Sequence, residues 1–265
     1  MALNKATYYS NPTELPLAVT SDVAYHTPDM RMASGYTAII NPETNQLFSI
    51  VSPKYKIVKH VDVLSKVEEA ISKHIEYGRF ERTLATFANG ARMQAKYVFP
   101  DVTVSVKGAD NIHPSVEIRN GYDGMWGFGV LFGAFRLVCS NGLVIGQKVL
   151  NFRKKHYNPA QQFLMQDMLS DSMENFSEQT KIWKSWSEQV MEQAQIAKSI
   201  EDMELREKEV EGINNTIETS TGITLLANQV VTKWILFNII AQYVTHNVVS
   251  INRQVELEAR MRKVF

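Results

Sequence analysis

Asn-Gly dipeptides at Asn89-Gly90, Asn120-Gly121 and Asn141-Gly142 fall between short runs of β-branched and aromatic residues. Asn-Gly takes the two positive-φ positions of a tight type I′ turn more readily than other pairs, and such a turn joins strands that run antiparallel. The runs Tyr36–Ile40, Leu47–Val51, Phe80–Phe87, Arg92–Phe99, Val102–Val106, Ser115–Arg119, Phe132–Val138 and Leu143–Phe152 therefore read as an antiparallel β-meander rather than a parallel βαβ sheet. One amphipathic helix interrupts them. Val61, Leu64, Val67, Ile71 and Ile75 recur at spacings of three and four, with Lys66, Glu68, Glu69 and Lys73 between them and Gly78 as the stop.

Beyond Asn158-Pro159 the composition shifts to helix formers. Pro159 suits a first helical position, and a long helix is expected from there to about Ala197, with Phe163, Met168, Phe176, Ile182 and Trp186 inward. A charged stretch, Ile200–Glu211, follows, and Gly212 is expected to close it. Trp234–Asn252 is a 19-residue run without charge, long enough to span a bilayer. Its Asn238, Gln242, Thr245, His246, Asn247 and Ser250 favour a buried core or oligomer helix. The expected fold is α+β: a sheet domain with a packed helix over residues 1–156, then a mainly helical region over 157–265 serving oligomerisation or partner contact.

The formal net charge is zero, with 28 Lys+Arg against 28 Asp+Glu. That total conceals an asymmetry: residues 1–156 carry 18 Lys+Arg and 13 Asp+Glu, net +5, and residues 157–265 carry 10 and 15, net −5. A basic part suits an anionic partner. The single cysteine excludes an internal disulfide and the secreted disulfide-stapled class. The first residues hold Asn, Lys, Pro and Glu where a secretory signal needs an apolar stretch, so a cytoplasmic location is expected. No phosphate-binding loop, dinucleotide fingerprint, His-Glu-x-x-His or nucleophile elbow occurs, and no cofactor or metal is expected. The six histidines are scattered singly and read as core or surface residues. Cys139 reads as a small buried residue ending a strand; a thiol nucleophile would need a base that the sequence does not place beside it.

Several cations sit in candidate strands beside aromatic residues. Arg79 and Arg82 flank Phe80. Arg92 and Lys96 share one face of a strand, with Tyr97 and Phe99 on the other. Arg153-Lys154-Lys155-His156 is the densest basic cluster, and Lys148 precedes it. Cations that neutralise phosphates beside planes on which bases stack are what sequence-independent single-strand binding requires. The alternative is a solvated sheet face whose lysines discourage edge pairing.

Asn120-Gly121-Tyr122-Asp123-Gly124 and Arg136-Leu137-Val138-Cys139-Ser140-Asn141-Gly142-Leu143, together with the helix after Tyr55-Lys56-Ile57-Val58, resemble a phage- and plasmid-encoded family catalogued as a domain of unknown function. The resemblance covers about residues 35–200. A meander with a helix is also similar, at fold level, to phage single-strand annealing proteins. Asn120, Asp123, Gly124, Cys139, Asn141 and Gly142 read as the structural motif: Asn-Gly at positive-φ turns, Asp123 bracing a turn, and Arg136 either pairing with Asp123 or meeting a phosphate. The resemblance implies a non-enzymatic protein that binds and anneals single-stranded DNA as a homo-oligomeric ring or filament, in the host cytoplasm if phage-encoded. A recombination nuclease or a single-strand-binding protein would be a further partner, and no membrane is involved. Arg79, Arg82, Arg92, Lys96, Arg136, Lys148, Arg153, Lys154 and Lys155 are the expected DNA contacts. The competing expectation is a structural protein that oligomerises through its helices and binds a host or phage protein.

Overall fold

The computed structural model describes residues 6–24, 26, 28–73, 78–108, 110–136, 141–144, 150–152, 176–219 and 231–265. In chain order these form β1 (Thr7–Tyr8), β2 (Val19–Ala24), β3 (Met32–Ile40), β4 (Leu47–Val51), α1 (His60–Ser72), β5 (Glu81–Phe87), β6 (Arg92–Val98), β7 (Val104–Lys107), β8 (Asp110–Gly121), β9 (Phe128–Arg136), β10 (Asn141–Val144) and β11 (Leu150–Phe152). Helices α2 (176–188), α3 (Gln193–Asp202), α4 (Glu207–Thr219), α5 (Lys233–His246) and α6 (Ile251–Val264) follow. The class is α+β.

Eight strands form one sheet in the order β1-β5-β6-β8-β9-β10, with β7 added beside β8 and β11 beside β9. The Tyr122 N–H donates to Ala91 O at one end of the β6–β8 pair and the Phe99 N–H to Pro114 O at the other, so the two strands run antiparallel. The remaining three, β2-β3-β4, make a separate antiparallel sheet. The sequence pattern places the last two of these in the main meander and does not mark β2. The chain divides into two compact units: residues 1–97, 116–131 and 149–171, and residues 98–115, 132–148 and 172–265.

In the first unit β6 alternates as a half-buried strand should. Met93, Ala95 and Tyr97 are buried while Arg92, Gln94 and Lys96 on the other face keep partial exposure. Helix α1 buries His60, Val63, Leu64, Val67, Ala70 and Ile71, a stripe at helical spacing. Glu68 on its flank fixes the helix to the sheet, accepting from Tyr97 Oη of β6 at 2.9 Å and pairing with Arg82 of β5. Beneath β2-β3-β4, Ala18, Ile39 and Tyr122 form a small core with Phe48, Val51, Tyr55 and Ile57 around it.

In the second unit Trp183, Trp186, Trp234, Phe237 and Phe265 are linked by ring contacts of 5.3–6.1 Å, and Val106, Ile112 and Ala134 from the strands share their core. The Trp234 indole N–H donates to Asp110 Oδ2 at 2.8 Å. The uncharged run from Trp234 is a core element, but it is two helices rather than one: α5 stops at His246, capped by Asn247, and α6 begins at Ile251. No described helix is long and apolar enough to cross a membrane. Gly212 does not end a helix. It lies inside α4, where a Cβ would stand 2.3 Å from the Tyr243 ring of α5, so its small size sets the approach of the two helices. The long helix expected from Pro159 falls partly outside the described residues; within them it is interrupted between 188 and Gln193.

Only the Asn-Gly at Asn89-Gly90 makes a positive-φ turn, with φ of 55° at Asn89 and 91° at Gly90 between β5 and β6. Asn120-Gly121 closes β8, and Asn141-Gly142 opens β10, pairing with Arg136 and Phe135 of β9. Both are extended strand rather than the turns expected. After β8 the positive φ, 72°, belongs to Gly124.

Candidate nucleic-acid interface

The residues around the β8–β9 turn build a rigid node. Asp123 Oδ1 accepts the Met125 N–H at 3.0 Å, bracing the turn, and its Oδ2 takes the Arg92 Nε–H at 2.6 Å. The partner of Asp123 is thus Arg92. Arg92 also lies over the Trp126 ring, 5.8 Å from its centroid. A Cβ on Gly121 would meet Trp126 O at 2.8 Å, so glycine is required there for close approach.

One step inward, His60 stacks on Tyr122 with ring centroids 3.8 Å apart. The Asn120 amide donates to Val58 O at 2.8 Å and to His60 Nδ1 at 2.9 Å. Since Nδ1 accepts, Nε2 carries the proton and donates to Gly90 O at 3.1 Å. The Tyr122 hydroxyl receives the His60 backbone N–H at 2.8 Å and donates to Pro16 O at 3.4 Å. His60 is fully buried, and loss of hydration pushes its pKa down to about 3 despite the Gly90 carbonyl, which favours the proton. Burial likewise raises the Tyr122 and Tyr55 phenols, with the negative charge of Asp123 adding to the effect at Tyr55. His60, Asn120 and Tyr122 thus form a hydrogen-bonded core that is uncharged at neutral pH.

The expected DNA contacts divide sharply. Arg82 is paired with Glu68 and donates to Ser10 O at 3.0 Å; Arg92 is held by Asp123, with only 11% of its side chain exposed. Arg119, which the sequence did not single out, is a buried cation paired with Glu117. Lys96 is half-buried and Arg79 exposed. Arg136 is described only as a backbone position in β9, and Asn141 and Gly142 only as such in β10. Lys148, Arg153, Lys154, Lys155 and Cys139 lie outside the described residues.

What the sequence reading missed is the segment between β4 and α1. Lys54, Lys56 and Lys59 are all exposed and have no ion pair among the described residues. Lys56 and Lys59, with Ile57, Val58, Asp62, Val63 and Lys66, line an open cleft of about 180 Å³ at the start of α1. Lys59 is the N-cap residue and makes no capping side-chain bond, so the positive end of the helix dipole adds to the field of the lysines. The signal, three lysines within six residues, was visible but lay between recognised elements.

A family model, Domain of unknown function (DUF932), matches residues 47–264. The chain belongs to this family. The match extends through the C-terminal helices to α6, beyond the resemblance noted up to about residue 200. It begins at the first residue of β4, so the family match contains the lysine segment and the node but not β1, β2 or β3. No curated protein and no solved structure matches the chain.

Proposed function

We propose that this protein binds single-stranded DNA through its phosphate backbone and promotes annealing, without enzymatic chemistry, as a homo-oligomer. The observation that carries the reading is the exposed set Lys54, Lys56 and Lys59, without an ion pair among the described residues, of which Lys56 and Lys59 line the cleft that opens α1. Elsewhere on the sheet Arg82, Arg92 and Arg119 are matched by carboxylates, which cancels their field. A ring or filament would array the lysine segments along one strand, and Arg153–Lys155 would add to them. A recombination nuclease or single-strand-binding protein remains the partner such an activity would use.

The test is fluorescence anisotropy of a labelled oligonucleotide across a salt series. Each phosphate contact to a single strand contributes about 0.7 to the slope of log affinity against log salt, so replacing Lys54, Lys56 and Lys59 together by Ala lowers the slope by about 2. No binding at low salt, or an unchanged slope in the variant, refutes the reading.

A further inference from the structure

We propose that the outward face of the β2-β3-β4 sheet is a platform for the bases of the bound strand, an assignment that rests on the single-strand reading above. The strand register places Val19, Ile40 and Leu47 in one row and Ser21, Ala38 and Ile50 in the next, on the same face. Tyr36, two residues before Ala38, continues that face. Ile39, beside Ala38 on the opposite face, is fully buried; on this face Ala38 is also buried, at 8% exposed, while its larger neighbours stand out. Tyr36 is 56% exposed, Leu47 and Ile50 53% each and Val19 39%. Val19, Ser21, Tyr36, Ala38, Ile40, Leu47 and Ile50 carry no charge.

Two considerations select the occupant. Three strands about 4.8 Å apart, overlapping for about five residues of 3.4 Å each, give a footprint on the order of 250 Å². A stable protein partner needs about 800 Å² from each side. The footprint does suit two or three bases, the number a small sheet stacks. The second consideration is charge: β4 leads within a few residues into Lys54, Lys56 and Lys59, so cations for the phosphates follow the apolar surface directly in the chain. An apolar ring plane beside an anionic backbone is the chemistry of a single-stranded nucleic acid.

The experiment compares a labelled oligonucleotide with an abasic strand of the same length, using the full chain. The wild type should prefer the base-bearing strand by about 5- to 150-fold, the effect of stacking on one aromatic residue. Tyr36→Ala should remove most of that preference and leave the salt slope unchanged, while Tyr36→Phe keeps it. Leu47→Ala serves as a second variant at an exposed position, and circular dichroism confirms that each variant is folded. Equal affinity of the wild type for both strands, or an intact preference in Tyr36→Ala, overturns the platform while leaving strand binding in place. Failure to bind either strand removes both proposals. A lower molar mass of Tyr36→Ala by light scattering with unchanged binding assigns the face to a second copy and overturns the proposal.

Discussion

Lowering the pH from 7 to 5 tests the buried His60 node most directly. The folded protein holds this imidazole neutral, with a pKa near 3, while the unfolded chain takes up its proton near the ordinary value of about 6.5. The folded-state pKa is depressed, so the stabilisation is complete above pH 6.5 and is lost as pH falls from there towards 3. Linkage gives about 1.4 kcal/mol per pH unit in that window, hence about 2 kcal/mol lost at pH 5. Glu209 and Glu256 have pKa values held low chiefly by hydrogen bonds from Arg253, so their own losses begin as pH falls into the ordinary carboxylate range near 4.5 and add little above pH 5. Urea unfolding at pH 7, 6, 5.5 and 5, followed by circular dichroism, measures the change. His60→Gln lacks the titrating group, and its stability should fall about 2 kcal/mol less over the same interval. Parallel pH profiles for the wild type and His60→Gln would refute a buried neutral histidine.

Two substitutions in the helical unit should also be decisive. Gly212→Ala improves intrinsic helix propensity by about 1 kcal/mol, but its Cβ meets the Tyr243 ring within α4–α5 packing, and overpacking costs about 1–3 kcal/mol; a lower melting temperature is expected, and a higher one would show that the two helices adjust freely. Glu209 makes bonds of 2.9 and 2.6 Å to the buried Arg253 guanidinium, so Glu209→Ala leaves that cation only Glu256 and the Glu204 carbonyl and should cost about 1–3 kcal/mol in a urea titration, whereas no measurable loss would mean that water or Glu256 takes the place of Glu209.

The strands that could be read from sequence were those with an internal period. Leu47–Val51 has the limits expected, and the alternation from Arg92 to Phe99 correctly separates a buried row from a charged one, because β-pleating alone dictates it. β2, with the sequence Val-Thr-Ser-Asp-Val-Ala, has too weak an apolar pattern to stand out and is held by its register with β3. Asn120 shows where local preference loses: its side chain bonds Val58 and His60, some 60 residues away, and those contacts favour extended backbone over a turn. The cations were legible as residues but not as charges. Arg82 is paired with Glu68 and Arg92 with Asp123, partners 14 and 31 positions distant that only the folded chain brings near. Lys54, Lys56 and Lys59 lie in a connecting segment between β4 and α1, where no strand or helix period marks them in the sequence.

The segment preceding the family match is fastened to the matched region at the node itself. Pro16 presses on Gly90 so closely that a Cβ there would stand 2.5 Å from its ring, and its carbonyl receives the Tyr122 hydroxyl. Ala18 and Ile39 complete the core under Tyr122. The unit of homology, which starts at residue 47, is therefore smaller than the unit of folding. A fragment trimmed to the matched residues would bare the Tyr122 side of the node to water, so the N-terminal segment is part of what holds the node.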